Sequence, residues 1–291
     1  MEQKRDLAIV LRWVPYEERH RIVTALTENH GRITALARNS IQSRRFGGAL
    51  EPFSASEWRF VERRGAELFR IEEATIRRSF DSIRTDFEAF SLASVFNETM
   101  LRIAPEHEPC PDLFKVLSNA LAALEELLAF EKADPIKAPK NARIGLLNAY
   151  LAKILQWSGS QPQLDCCFGC QTSLHSLDPH HFVTCRVAEA AWLCPDCRGT
   201  RQITHREGQA FSQFGLRVTP AALRDFYSAL VTPMRQIVPT LTADLAEQTE
   251  LFQFMEALFV YHIPGFDRSQ MKSLRFLNLS PGSSSGSNVI F

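Results

Sequence analysis

Residues 21–37 read RIVTALTENHGRITALA. Two apolar, β-prone runs, Arg21–Thr27 and Gly31–Ala37, flank Asn29-His30-Gly31, a turn signal. In the second run Arg32, Ile33 and Thr34 alternate, the pattern of a strand with one buried face. Upstream, Leu7–Trp13 (LAIVLRW) is another β-prone run, closed by the turn-like Pro15-Tyr-Glu-Glu18. Downstream, Ser56–Glu62 (SEWRFVE) sets Trp58 and Phe60 on one face and Glu57 and Arg59 on the other. Arg64-Gly65 breaks that run and Glu67–Glu72 resumes it. Five short strands with polar turns predict a small closed barrel or sandwich. Between the third and fourth strands, Arg38–Pro52 (RNSIQSRRFGGALEP) reads as a polar, basic, glycine-containing loop.

From about Phe80 the period becomes helical. Ser91–Ala104 is one expected helix. In residues 112–130, Leu113, Val116, Leu117, Ala120, Leu121, Leu124, Leu127 and Leu128 fall at i, i+3, i+4, i+7 spacing. Asp112 is its expected N-cap, after Pro109 and Pro111. A Pro-containing link, EKADPIKAPK, leads to a helix over 142–157, and further helices are expected at 219–231, 244–262 and 268–277. The fold class expected is α+β, with an N-terminal five-stranded barrel over residues 1–80. An α-helical domain over 81–160 and 206–279 follows, carrying an inserted cysteine module over 161–205. Residues 280–291 (SPGSSSGSNVIF) read as a flexible tail.

Composition bounds the function less than the fold. The chain has 291 residues, 45% hydrophobic and 23% charged, near the globular average. No run approaches the length of a membrane span, and the N-terminal segment lacks a signal-peptide pattern. The expectation is no membrane and a cytoplasmic location. Lys+Arg and Asp+Glu are both 33. Yet residues 1–80 carry 15 Lys/Arg against 11 Asp/Glu, and residues 81–160 carry 8 against 11. A basic first domain hints at an anionic partner.

Six of the 7 cysteines lie within residues 166–197. Cys167-Phe-Gly-Cys170 and Cys194-Pro-Asp-Cys197 are two CxxC pairs, with residues 171–193 between them. Such spacing lets both thiolates of a pair reach one ion, and two pairs make a closed, structural zinc site of four cysteines. Gly169 is expected to supply unusual backbone angles. Cys166, Cys185, His180 and His181 compete as ligands in principle and are read as packing or surface residues. The chain has no Gly-Lys-Ser/Thr, GxGxxG or HExxH motif, and its GxSxG match, Gly282–Gly286, lies in the Ser/Gly tail rather than at a strand-to-helix elbow. Cys110, near His107, lacks any orienting context for a nucleophile, and the acidic pairs are adjacent residues that diverge. A non-enzymatic protein is expected.

The order barrel, helical body, inserted four-cysteine module resembles the bacterial RecO family of recombination mediators. The similarity lies in Arg5–Arg12, Tyr16–Val23 and Thr27-Glu-Asn-His-Gly31, then in Phe46-Gly-Gly-Ala-Leu-Glu-Pro52. Leu164-Asp165 before the first CxxC and the closing Met271–Leu277 also belong to it. Ala37-Arg-Asn39 stands where the family usually has Ala-Lys-Gly, and Ala188–Ala191 where many members have a Gly pair. The resemblance implies an OB-fold that binds single- and double-stranded DNA. It implies annealing of complementary strands, with RecR and the single-stranded-DNA-binding protein SSB as partners. It also implies loading of RecA onto SSB-coated strands, and hence a nucleoid-associated place.

A barrel with basic loops suits a single strand, Arg for phosphates and rings for bases. The expected contacts are Arg32 and Arg38 around the third strand, and Arg44 and Arg45 in the following loop. Arg59, Arg63 and Arg64 come second. Trp58 and Phe60 are expected in the core. The C-terminal tail of SSB needs an apolar pocket with a cation, for which Lys115, Lys132, Arg143 and Lys153 are all open. The rival reading is a zinc-stabilised structural adaptor that binds proteins rather than DNA.

Overall fold

A computed structural model describes residues 3–41, 46–62, 68–198, 215–267, 269 and 271–277. These fall into two compact units. One is Met1–Ala138 with Gly265–Leu274, the other Pro139–Pro264 with Arg275–Phe291.

The first unit opens with β1 (Gln3–Tyr16), β2 (His20–Thr27), β3 (Gly31–Ala37), β4 (Ala55–Val61) and β5 (Phe69–Arg78). They close into a barrel in the order β1-β2-β3-β5-β4. All neighbours are antiparallel except β3 and β5, which pair in parallel through residues 35–37 and 69–71. That is the five-stranded topology of an OB-fold. Alternation on each strand fills the interior with Ala8, Val10, Val23, Ala25, Ile33, Ala35, Trp58, Phe60 and Ile71.

The segment expected to be a polar loop is split in character. Phe46, Ala49 and Leu50 are buried in the barrel core. Gly47 and Gly48, with φ of 49° and 88°, turn the chain so that these side chains point inward. Ser56 Oγ donates to the Ala49 carbonyl at 2.7 Å and accepts from Trp58 Nε1 at 3.2 Å, tying this plug to β4. The Gly-Gly loop thus closes one end of the barrel.

The motif at residues 27–31 is also structural. The Asp6 carboxylate accepts from the Asn29 N–H and Nδ2, both at 2.9 Å, and lies 2.7 Å from His30 Nδ1. Thr27 Oγ1 donates to the Gly31 carbonyl at 2.8 Å. The β2–β3 turn is therefore fastened to β1.

Three helices follow in this unit: α1 (Asp81–Thr85), α2 (Phe87–Ile103) and α3 (Pro111–Ala133). Asn97 of α2 donates from Nδ2 to the carbonyls of Val10 and Leu11, at 3.1 and 2.9 Å, where β1 has a bulge. Residues 105–107 extend the barrel. Arg32 N–H donates to the Pro105 carbonyl at 2.9 Å, and the His107 N–H to the Arg32 carbonyl at 3.3 Å. They cover the part of the β3 edge that β5 leaves unpaired. Cys110, not Asp112, is the N-cap of α3, without a side-chain bond, because Pro111 takes the first helical turn.

The second unit contains α4 (Ala142–Trp157), α6 (Pro220–Val231) and α7 (Leu245–His262) packed together. Between α4 and α6 run β6 (Val183–Arg186), β7 (Ala191–Leu193), a short α5 (Pro195–Arg198) and β8 (Leu216–Val218). The three strands form a sheet in the order β7-β6-β8. Thr219 caps α6, and Asp244 with Glu247 forms a capping box on α7. The helix expected at 268–277 is a 3-10 turn over Lys272–Phe276. Ser273, through its N–H and hydroxyl, donates to the Glu98 carboxylate of α2 at 3.1 Å each.

Candidate nucleic-acid interface and metal centre

The four sulfurs of Cys167, Cys170, Cys194 and Cys197 lie within 4.8 Å of one another. A tetrahedral ion at about 2.3 Å from each sulfur requires sulfurs about 3.8 Å apart. Cys170 and Cys194 already stand at 3.6 Å. The first pair sits on a turn closed by two bonds of 2.9 Å, Gln171 N–H to the Cys167 carbonyl and Cys167 N–H to the Thr172 carbonyl. The second pair spans the end of β7 and α5. Cys167 Sγ accepts from the N–H groups of Gly169 and Cys194, at 3.4 and 3.3 Å, which holds the sulfur between the two pairs.

The glycine between the first pair acts by size rather than by backbone angle. A Cβ on Gly169 would lie 2.7 Å from Cys197 Sγ, and the left-handed residue of this turn is Gln171, with φ of 61°. Thr172, through its hydroxyl and its N–H, draws the Cys170 thiol down to about 6. The neighbouring sulfurs of Cys194 and Cys170 push Cys197 up to about 12. Cys170 therefore yields its proton before Cys197, and a bound cation takes the place of the proton that Cys197 keeps. The donor set and spacing fit a tetrahedral ion.

The competing ligands are turned elsewhere. Cys166 Sγ donates to Gln171 Oε1 at 3.0 Å. Cys185 is buried in β6 opposite Trp192, and burial pushes its thiol up. His180 Nδ1 lies 2.8 Å from Glu247, and His181 3.5 Å from Asp178. Cys110 is buried, while His107 faces the Phe69 ring.

The basic side chains of the barrel divide into two groups. On the β1–β4–β5 surface they are neutralised. Glu57 pairs with both Arg5 and Arg77, Arg59 with Glu73, Lys4 with Glu62 and Arg78 with Glu125. Arg32 is held as well, with Nη1 at 2.9 Å from Glu106 and Nε donating to the Ala104 carbonyl. Arg38 is exposed just beyond β3 and has no side-chain partner among the described residues. Arg44, Arg45, Arg63 and Arg64 lie outside the described residues.

Two further arginines share the character of Arg38. Arg12, on β1, and Arg19, in the β1–β2 turn, are exposed and without a side-chain partner among the described residues. Strand pairing gathers this group toward one end. Tyr16 faces His20 and Arg21 faces Ala37. The Ile41 N–H donates to the Arg19 carbonyl, and the Asn39 N–H to His20 Nδ1 at 2.9 Å. Val14, Tyr16 and Ile41 are exposed around them. Sequence reasoning ended the first strand at Trp13 and so missed this face. Parity alone puts Arg12, Val14 and Tyr16 on the side of the buried Ala8 and Val10; the bulge after Val10 reverses it, and no local pattern announces that reversal.

The sequence matches the family described as Recombination protein O N terminal over residues 1–80, and Recombination protein O C terminal over residues 84–236. The chain belongs to the RecO family. Among similar RecO proteins, the DNA repair protein RecO of Anaeromyxobacter dehalogenans is 33% identical over 198 residues, 68% of this chain and 71% of that one. That of Myxococcus xanthus is 34% identical over 171 residues, 58% of this chain and 64% of that one. That of Bifidobacterium longum is 30% identical over 252 residues, covering 85% and 94%. RecO membership places this chain in DNA repair and recombination. Among the described residues no helix is long and apolar enough to cross a membrane.

Proposed function

We propose that this chain is a non-enzymatic recombination mediator. It binds single- and double-stranded DNA, anneals complementary strands, and with RecR helps RecA load onto SSB-coated single strands in the nucleoid-associated cytoplasm. The supporting observation is the segregation of charge on the barrel. Arg12, Arg19 and Arg38 stand without side-chain partners among the described residues, beside Tyr16, while the β1–β4–β5 surface is ion-paired. Unpaired guanidinium groups take phosphates and a nearby ring takes a base. Arg44 and Arg45, a few residues beyond Ile41, extend this basic stretch in sequence. Arg32 and Arg59 act chiefly within their ion pairs, and Arg63 and Arg64 are secondary contacts.

The partner tail of SSB, acidic and apolar-ended, rests on α4 and α6. Lys153 is half-buried, its Nζ 3.5 Å from the Leu230 carbonyl, and burial lowers its pKa. A desolvated cation gains most from a carboxylate partner. Trp157, one turn on, and Val231 expose apolar surface near it. The four-cysteine set holds one zinc ion whose closed coordination stabilises the module. Purified protein never exposed to chelator then carries about one zinc per chain.

Strand annealing followed by FRET, with labelled complementary oligonucleotides, tests the reading without ATP. Acceleration on SSB-coated strands that weakens with salt supports it. Folded, zinc-loaded protein that neither binds nor anneals DNA moves the assignment to the adaptor reading.

A further inference from the structure

Leu164 lies between α4 and the first cysteine pair and is fully buried. Its N–H donates to the Tyr227 hydroxyl of α6 at 3.0 Å. Its carbonyl accepts from Trp192 Nε1 at 2.7 Å. Trp192 belongs to β7, two residues before Cys194, and its own carbonyl accepts from the Phe168 N–H at 2.9 Å. One residue is therefore clamped by the segments that carry both cysteine pairs, and it passes that restraint to α6.

Two more ties run from the cysteine segment to the same helix. Arg224 Nη2 donates to the carbonyls of Leu174 and Leu177, at 3.0 and 2.9 Å, in the stretch between the pairs. The Ala221 N–H donates to the Pro179 carbonyl at 2.9 Å. Arg224 and Tyr227 are three residues apart on one helix face. At its other end α6 presents Leu230, whose carbonyl receives Lys153, and the exposed Val231.

We propose that the loaded four-cysteine module positions α6 through Tyr227 and Arg224, so that the Lys153–Val231 face depends on the bound ion. The inference rests on the partner-tail reading of that face. With the ion bound, both cysteine turns are closed and Leu164 is held between Trp192 and Tyr227. Without it the Phe168–Trp192 backbone bond and the Cys194 N–H to Cys167 Sγ bond remain, a weaker tie between the two turns. The grip on Leu164 slackens, and α6 loses two of its side-chain anchors. Packing of Leu223, Phe226 and Leu230, all buried, keeps α6 folded, so the effect is on position rather than on existence. Tyr227 and Arg224 are positioning residues and touch no partner themselves.

The test uses the full chain and a fluorescein-labelled acidic peptide ending in two apolar residues. Affinity is read by anisotropy before and after zinc removal by a chelator in reducing buffer. About tenfold weaker binding is expected after removal. Tyr227→Phe is expected to retain its zinc, bind between the loaded and metal-free levels, and lose part of its response to zinc removal. Equal affinity with and without zinc overturns the proposal, as does a Tyr227→Phe protein that keeps the full zinc dependence. Hydrogen exchange across α6, with and without zinc, needs no peptide. Faster exchange after zinc removal supports the coupling and unchanged exchange overturns it. Absence of peptide binding to the zinc-loaded protein defeats the partner-tail reading separately.

Discussion

Gly31 shows why single residues of the 27–31 turn are demanding. Its φ is 66°, and a Cβ there would lie 2.1 Å from the Glu108 carbonyl oxygen. Both the backbone angle and the space exclude a side chain. Gly31→Ala is expected to destabilise the barrel by about 2 kcal/mol or more, combining left-handed strain with displacement of the 105–108 segment. Urea unfolding of the variant checks this; an unchanged midpoint would show that the segment yields freely. Two non-glycine residues occupy the same conformational region with different ease. Asn39 has φ of 54°, which Asn tolerates better than most residues. Ala190, in the turn between β6 and β7, has φ of 48°, which Ala does not. Ala190→Gly relieves about 1–2 kcal/mol of left-handed strain and gives back part of it in chain entropy. The expected result is a rise of a few degrees in the unfolding temperature by scanning calorimetry. A lower temperature would contradict the strain argument.

At the scale of elements, strand and helix signals were legible where one face alone is buried. β3 matches its expected span, Gly31–Ala37, because its alternation is uninterrupted. α4 matches too, from Ala142 to Trp157, although Ile144–Ala152 are buried on every side; there the Pro-containing link ahead of it marks the start. β1 and β5 were read short, since their exposed ends carry polar residues and lean on neighbouring strands rather than on a core. The Phe46–Leu50 plug was hidden by flanking arginines and glycines that resemble a surface loop. That the two CxxC pairs converge was legible from spacing, whereas the free or paired state of each arginine depends on cross-strand neighbours that no local pattern reveals. The β1–β4–β5 ion pairs also set a pH response. Arg5 and Arg77 hold the Glu57 carboxyl at about 2, below its ordinary value of 4.5. Its folded-state value is depressed, so its contribution is present above the ordinary value and is lost as pH falls toward about 2. Glu57→Gln is expected to flatten the acid limb of the stability curve between those values and to lower stability modestly at neutral pH, since water still reaches these ion pairs and screens them. An acid limb identical to that of the unaltered protein would remove Glu57 from the account.

For the whole molecule, the question is which arginines convert a structural barrel into a DNA-binding one. A phosphate contact releases condensed counterions, so each lost contact to a single strand lowers the salt slope by about 0.7. A guanidinium already neutralised by a carboxylate contributes little to that slope, because approach to a phosphate requires breaking its own ion pair. Arg19 and Arg38 are exposed and without a side-chain partner among the described residues, whereas Arg59 is paired with Glu73. Arg19→Ala with Arg38→Ala is therefore expected to weaken single-strand binding several-fold at moderate salt and to flatten the slope by about two contacts' worth. Arg59→Ala should leave both nearly unchanged, although it removes the same kind of charge. Anisotropy titrations at several salt concentrations separate the two cases. Equal losses from the paired and unpaired arginines would mean that net charge alone governs binding and that the Tyr16 end of the barrel has no privileged role. A loss confined to the unpaired group would locate the strand along β1 and the β1–β2 turn, where Tyr16 stands between Arg12 and Arg19 in the chain.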